Sequence, residues 1–404
     1  MRLCDLNHAA VWAGLTAFVW YAFGAVPLQI AVCAQLALTG AQTSSWIFIV
    51  WFSGAVLSIA LSLRLRQPIA ITWTLPGLVY LGTLADRFSF AELVGANLVA
   101  GVLILVSGAL GVGGAVMRWL PLPIVMGMFA GSILPYVTQM VAATVQDGAI
   151  AGMAVAGYLI GRAITNPRVP PVGLAVVAGG LAVAWAGTRS AAAFEWTLPT
   201  LAVPDMAFSV PAVVAVSLPM VVLAMALGNV QGLGFLRAQG YGVPVNAVTS
   251  AVGIASILNA LLGGHAATVA RNGVAILASS DAGPIYGRYW AAVIASGLTL
   301  LLALAATPVA ALLGILPKSY IFVVAALAIV SALQDALEKS FGGEFRFGAL
   351  VAFIVAATPF AFLDMTSAFW ALNSQASPLR RQRCAAAVVL SRGSVSAATT
   401  RAVP

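Results

Sequence analysis

Apolar residues run in long blocks along this chain, and the polar residues between them come in short clusters. The blocks cover about 9–38, 46–63, 93–110, 121–143, 148–164, 171–186, 210–240, 245–262, 289–306, 319–333 and 347–362. Most approach the roughly 20 residues that an α-helix needs to cross a bilayer. Between the early blocks lie Arg64 and Arg66, then Asp86, Arg87 and Glu92, then Arg118, Asp147, and Arg162 with Arg168. The hydropathy falls between Gly187 and Pro211, where Arg189, Glu195 and Asp205 appear among prolines. This pattern predicts an all-α polytopic membrane protein.

Two stretches depart from it. Gln67 to Gly82 (QPIAITWTLPGLVYLG) and Gly263 to Ser280 (GGHAATVARNGVAILASS) each open on residues that suit an extended chain. Each then meets a helix-start signal and continues as an apolar helix too short to span. In the first, Ile69, Ile71, Thr72, Trp73 and Thr74 favour extension, and Pro76 suits a first helical turn, where its missing N–H is no loss. In the second, Thr268 and Val269 suit the extended lead-in and Asn272 suits an N-cap. The stretches lie about half the chain apart, as broken helices in duplicated transporters do. The alternative is that Pro76 and Gly273 only kink continuous helices.

About 14 transmembrane segments follow, in two inverted 7-segment repeats, with short extended stretches before half-helices 3 and 10. The first repeat is read as 1–187, the connection as 188–210 and the second repeat as 211–372. Residues 373–404 are an atypical Ser/Ala/Thr-rich tail; either the final crossing is truncated there, or the tail is replaced or disordered. If the N-terminus is cytoplasmic, Arg2, Arg64, Arg66, Arg118, Arg162, Arg168, Arg237, Arg288, Lys339, Arg346 and Arg380, Arg381 and Arg383 collect inside. Only Arg87, Arg189 and Lys318 collect outside, which is the asymmetry the positive-inside rule expects.

Composition narrows the functional classes. Of 404 residues, 62% are hydrophobic and 7% charged, too few charges for a water-facing surface of this size. The net charge of +8 is absorbed by the loop cations, and no basic patch with interleaved aromatics points to nucleic acid. Cys4, Cys33 and Cys384 form neither a disulfide framework nor a metal spacing. No nucleotide-binding motif and no acid/base cluster appear, so no cofactor, metal or enzymatic activity is expected.

The candidate chemistry sits on the two broken stretches and on apolar helices beside them. Two opposed helix N-termini at membrane depth offer free N–H donors and positive dipole ends to an anion. Arg271 is the sharpest residue, because a mid-membrane arginine is costly unless it pairs, snorkels or faces water. A substrate carboxylate is one partner for it; a place nearer the interface or on backbone carbonyls is the other reading. His265 is the candidate for proton coupling, against a structural hydrogen bond. Asn229, Gln231 and Gln29 either bind substrate or join helices, and Trp73 either stacks on an aromatic substrate or packs in the core.

At these residues the chain resembles the benzoate/proton symporter family, BenE. The match lies in Trp73-Thr74-Leu75-Pro76-Gly77, in Gly228-Asn229 with Gly232 and Leu236-Arg237-Ala238-Gln239-Gly240-Tyr241, and in Gly263-Gly264-His265. The resemblance implies a fold like uracil permease and the sulfate-permease-type anion transporters. Segments 1–4 and 8–11 would form a core domain and the rest a gate domain, with substrate between segments 3 and 10. It implies import of a benzoate-like aromatic carboxylate with a proton through a bacterial-type inner membrane, with homodimerisation left open. Thr72, Trp73, Thr74, Pro76, Gly77, Thr268, Arg271, Asn272 and Gly273, with Gln29, Asn229 and Gln231, become the expected substrate site. Arg271-Asn272 stands where the resembling family usually has small apolar residues. The alternative function is a carrier or channel for another organic or inorganic anion on the same fold.

Overall fold

The computed structural model describes residues 5–111, 121–164, 169–187, 196–343, 345–358, 361–362, 365–366 and 370–371. The tail after residue 372 and Arg118, Arg168, Arg189 and Glu195 lie outside the described residues. Fourteen helices occur among those described: α1 (His8–Gln35), α2 (Gly40–Leu65), α3 (Leu75–Gly82), α4 (Phe90–Ala109), α5 (Leu122–Gln146), α6 (Ile150–Ala163) and α7 (Pro171–Ala186) come first. Then follow α8 (Val210–Ala238), α9 (Val245–Leu261), α10 (Arg271–Leu277), α11 (Tyr289–Leu304), α12 (Ala306–Ile315), α13 (Lys318–Phe341) and α14 (Arg346–Ala357). Six of them, α1, α2, α4, α5, α8 and α13, are each long and apolar enough to cross a membrane.

Both broken stretches are broken. Strand β1 (Ile71–Trp73) precedes α3, and strand β2 (Ala267–Val269) precedes α10. The strands pair antiparallel, Ile71 opposite Val269, Thr72 opposite Thr268 and Trp73 opposite Ala267. The ladder continues past both ends through Thr74 N–H to Ala266 O at 3.0 Å and Ala270 N–H to Ala70 O at 2.8 Å. Because the strands are antiparallel and each feeds a helix, α3 and α10 leave the pair in opposite directions. A second short antiparallel pair, β3 (Ala361–Phe362) with β4 (Met365–Thr366), follows α14.

A two-stranded ribbon leaves the outer edge of each strand without a backbone partner, and lipid offers none. Serines within apolar helices supply them. On α2, Ser58 Oγ accepts from Ile71 N–H at 2.7 Å, and Ser62 Oγ accepts from Ile69 N–H at 3.2 Å and donates to Ile69 O at 2.9 Å. Gly54, one turn before Ser58, lets the Ile71 carbonyl come against the helix backbone. On α9, Ser256 Oγ accepts from Ala267 N–H at 2.9 Å, and Asn259 Nδ2 donates to His265 O at 2.9 Å. Ser53 Oγ donates to Asn259 Oδ1 at 2.5 Å and so ties the two supports together.

Three boundaries differ from the sequence reading. Asn272 is not the N-cap of α10; Ala270 holds that place, with extended dihedrals. Its N–H is still engaged in the ladder to Ala70, so the helix begins directly after it. Second, residues 306–315 form α12, bent 58° from α11. Pro308 has no N–H to give the Leu304 carbonyl, so α11 cannot run on straight. Third, α13 continues past Leu333 to Phe341 and carries Gln334, Asp335, Glu338 and Lys339 within the helix.

Packing falls into two groups. In one, α4 packs on α9 and α11 on α2 and α1, around the strand pair; in the other, α6 packs on α7, and α13 and α14 pack on α5. The long α1–α13 contact is a main seam between them. A Ser58→Val substitution tests the support of the ribbon: it leaves the Ile71 N–H buried and unpaired. We expect a loss of about 1–3 kcal/mol, read as earlier unfolding in denaturant titrations in detergent.

Candidate functional site

The site is built on the point where the strand pair meets α8. Helix α8 is not regular: Val213–Ser217 and Leu223–Asn229 are wound as π-helix, flanking Pro219. Wide turns of this kind gather at functional sites because they redirect side chains. Here the second one ends on Asn229, whose Oδ1 accepts from Val269 N–H at 2.8 Å and from Thr268 Oγ1 at 3.4 Å. Thr268 Oγ1 also donates to Ala224 O at 2.6 Å, a carbonyl inside the same π turn. Gly228 and Gly232 face Thr268 and Val269, and a side chain at either would collide with β2. Asn229 therefore serves as the outer partner of β2, as Ser58 does for β1.

Two residues further along, Gln231 turns toward the start of α10. Its Oε1 accepts from Arg271 at 2.9 Å and from the Lys339 ammonium at 3.4 Å. Arg271 also pairs with Asp335 at 2.6 Å, and Lys339 pairs with the other oxygen of Asp335 at 2.8 Å. Asp335 and Lys339 are one turn apart on α13, so this cluster of two cations, one carboxylate and one amide crosses from one packing group to the other. The side chains of Arg271 and Asp335 keep 27% and 32% of their surface. Arg271 Nε donates to Asn272 Oδ1 at 3.2 Å, which orients Asn272 along the same rim.

The remaining predicted residues divide. Thr72 lies in the ladder opposite Thr268, and Thr74 caps α3 by accepting from Gly77 N–H at 3.3 Å, with Pro76 in the first turn. Gly77 lies against the Met220 side chain of α8, and Gly273 lies against the Tyr21 hydroxyl of α1. Tyr21 had no signal in the sequence beyond its place in an apolar block. Trp73 is buried edge-on to both Trp51 and His265. His265 is fully enclosed; its Nδ1 accepts from Trp46 Nε1 at 3.0 Å, and its Nε2 has no hydrogen-bond partner among the described residues. Gln29 is turned to α2, where its Oε1 accepts from Trp51 Nε1 at 2.9 Å.

Chemically, the arrangement presents three features to one region: two helix starts aimed oppositely from a central ribbon, a guanidinium at the first residue of one of them, and polar donors not yet used. Tyr21 Oη and Gln231 Nε2 are buried with no hydrogen-bond partner among the described residues. Since Gln231 Oε1 faces two cations, its amide orientation is fixed and the free group is a donor. The carboxylate partner of Arg271 was invisible to the sequence reading because Asp335 lies 64 positions away.

Two half-helices that start from a shared antiparallel ribbon are the arrangement that duplicated membrane transporters use at their transport site. The chain belongs to the BenE family: the family model described as benzoate membrane transport protein matches residues 4–375. It is 28% identical over 377 residues to the inner membrane protein YdcO of Escherichia coli (strain K12), covering 92% of this chain and 95% of that one. It is 25% identical over 373 residues to the benzoate membrane transport protein of Acinetobacter baylyi (strain ATCC 33305 / BD413 / ADP1), covering 91% and 93%. Among solved structures, its fold is similar to the transmembrane domain of a cyanobacterium bicarbonate transporter, BicA, with a TM-score of 0.61, 17% identity, and 88% and 96% of the two chains covered. It is also similar to SLC26A9, with a TM-score of 0.63, 12% identity, and 95% and 66% covered.

Asn229 provides a test of the site's construction. Asn229→Leu removes the partner of Val269 N–H, and we expect about 1–3 kcal/mol lower stability in detergent unfolding. Asn229→Asp keeps the accepting oxygen and should recover most of it.

Proposed function

We propose that this transporter imports benzoate or a similar aromatic carboxylate together with a proton, by alternating access across a bacterial-type inner membrane with the N-terminus in the cytoplasm. The observation that carries the reading is Arg271 at the first turn of α10, partly exposed and adjoining the unpartnered Gln231 Nε2. A carboxylate satisfies both, through charge-assisted hydrogen bonds. The starts of α3 and α10, with Thr72, Thr74, Pro76, Gly77, Thr268, Asn272 and Gly273, form the surrounding wall.

A cavity of about 200 Å³ lies along α1, lined among others by Phe23, Val26, Pro27, Leu316, Tyr320 and Val324 and by no residue of the Arg271 cluster. It sits between α1 and α13, where α1–α4 and α8–α11 as core would slide against the rest as gate. The family name and the curated benzoate transport relative support the same substrate class.

A second reading is a carrier or channel for another organic or inorganic anion, because a guanidinium and an amide donor recognise an anion without reading its ring. Uptake of labelled benzoate into proteoliposomes, with and without an inward proton gradient, separates the two. Gradient-stimulated uptake that chloride, sulfate and bicarbonate do not compete away supports the first reading; uptake no greater than into protein-free vesicles rejects it. Arg271→Ala should weaken benzoate binding by about 2 kcal/mol, roughly thirtyfold in Kd, in protein that still inserts.

A further inference from the structure

We infer that Asp335 of α13 accepts the co-transported proton, because its carboxylate and the substrate's carboxylate compete for the same Arg271 guanidinium. The inference rests on the carboxylate reading above and adds the group that links it to protons. Three observations lead there. Asp335 occupies Arg271 at 2.6 Å, so the cation expected to meet the substrate already holds an anion when the site is empty. Gln231 directs its oxygen to Arg271 and Lys339 and keeps its donor free beside them. About a third of the Asp335 side chain is exposed, so water reaches it. Among the described residues, the charged groups paired with Asp335 are Arg271 from α10 and Lys339 from its own helix, and α8 contributes the neutral Gln231 to the cluster.

A carboxylate that takes Arg271 leaves Asp335 with Lys339 as its one remaining cation and sets a second anion beside it, and both changes raise the affinity of Asp335 for a proton. A proton from water then binds an Asp335 oxygen, the Arg271–Asp335 ion pair opens, and the guanidinium turns to the substrate. On release at the other face the substrate leaves, the proton returns to water and the ion pair re-forms. The balance is one proton per carboxylate. The cluster's net charge is the same in both states: two cations and one carboxylate when empty, two cations, one neutral acid and one substrate anion when loaded. Both states therefore cross with similar electrostatic cost, whereas a carboxylate bound beside ionised Asp335 differs by one charge. The pair also joins α10 to α13, so its opening frees the moving group from the static one.

His265, the histidine that the sequence offered for this role, is enclosed by Trp46, Trp73 and the Thr74 backbone and has no exposed surface. The competition scheme makes a sharp and unusual demand: removing the charge of Asp335 should strengthen substrate binding in alkaline solution, where loss of a merely structural ion pair would weaken it.

The test is benzoate binding to purified full-length protein, with proton uptake followed by an indicator dye in weakly buffered solution. Wild-type protein is expected to take up one proton per benzoate, and its Kd to rise by up to about tenfold per pH unit where Asp335 is ionised when empty. Asp335→Asn is expected to take up none, to bind with little pH dependence, and to bind about tenfold or more tightly than wild type near pH 8. His265→Gln is expected to retain the wild-type proton stoichiometry. Benzoate binding without proton uptake in the wild type, uptake that persists in Asp335→Asn, or uptake lost in His265→Gln each overturns the assignment and leaves the substrate reading standing. Wild-type protein that binds no benzoate overturns the substrate reading and this inference with it. Where Asp335→Asn fails to insert, Asp335→Ala carries the same expectation and the same overturning outcome.

Discussion

A backbone N–H at membrane depth has to find a partner inside the protein, and the ribbon of β1 and β2 is where this chain meets that requirement. Each strand satisfies one edge through the other, but a two-stranded ribbon has two outer edges. Ser58 and Ser62 of α2 cover one; Ser256 of α9 and Asn229 of α8 cover the other. Everything near the site inherits its position from those bonds. The antiparallel register fixes that α3 and α10 diverge, Asn229 fixes the height of α8, and the glycines at 228 and 232 let α8 come close enough for Asn229 to reach. Leaving one such group unpaired costs on the order of 1–3 kcal/mol, a large share of the stability of a typical domain.

The same bonds divide the polar residues into two kinds. Asn229, Thr268, Thr74, Gln29 and His265 are buried and bond to the protein, with Gln29 Nε2 and His265 Nε2 left without a partner among the described residues. Arg271, Asn272, Gln231, Asp335 and Lys339 are at least partly exposed and bond mainly to one another across the seam between packing groups. The first kind holds the ribbon rigid while the second is free to exchange partners. A transporter requires that separation, since its site must keep its shape while its contacts to the opposing domain are made and broken.

How much of this was legible in the sequence depends on how local each signal was. The broken helices were, because Pro76 and the β-branched runs before each helix act within a few residues. The blocks of hydropathy located most spans for the same reason. The start of α10 was misplaced by two residues because the ladder bond from Ala270 to Ala70 comes from the other half of the chain. Asn272 has the intrinsic preference for a cap, but a tertiary hydrogen bond outranks a capping preference of about 1 kcal/mol. Serines 58, 62 and 256 carried a readable hint, polar residues inside apolar helices, yet nothing local says that they hold strand edges rather than neighbouring helices.

Asp335 shows the same limit in a more consequential form. Hydropathy closes its block at Leu333, because Gln334, Asp335, Glu338 and Lys339 follow in quick succession. The helix nevertheless continues to Phe341. Lys339 sits one turn beyond Asp335 and neutralises it, and Arg271 arrives from α10 to share it, so the cluster is tolerable where each charge alone would not be. An arginine that looked unpaired within its own stretch thus acquires a partner from the other side of the seam. A cation already holding a carboxylate is a poorer receptor for a second one until that carboxylate is neutralised. If Arg271 takes the substrate carboxylate as proposed, anion binding and proton coupling become two aspects of one ion pair.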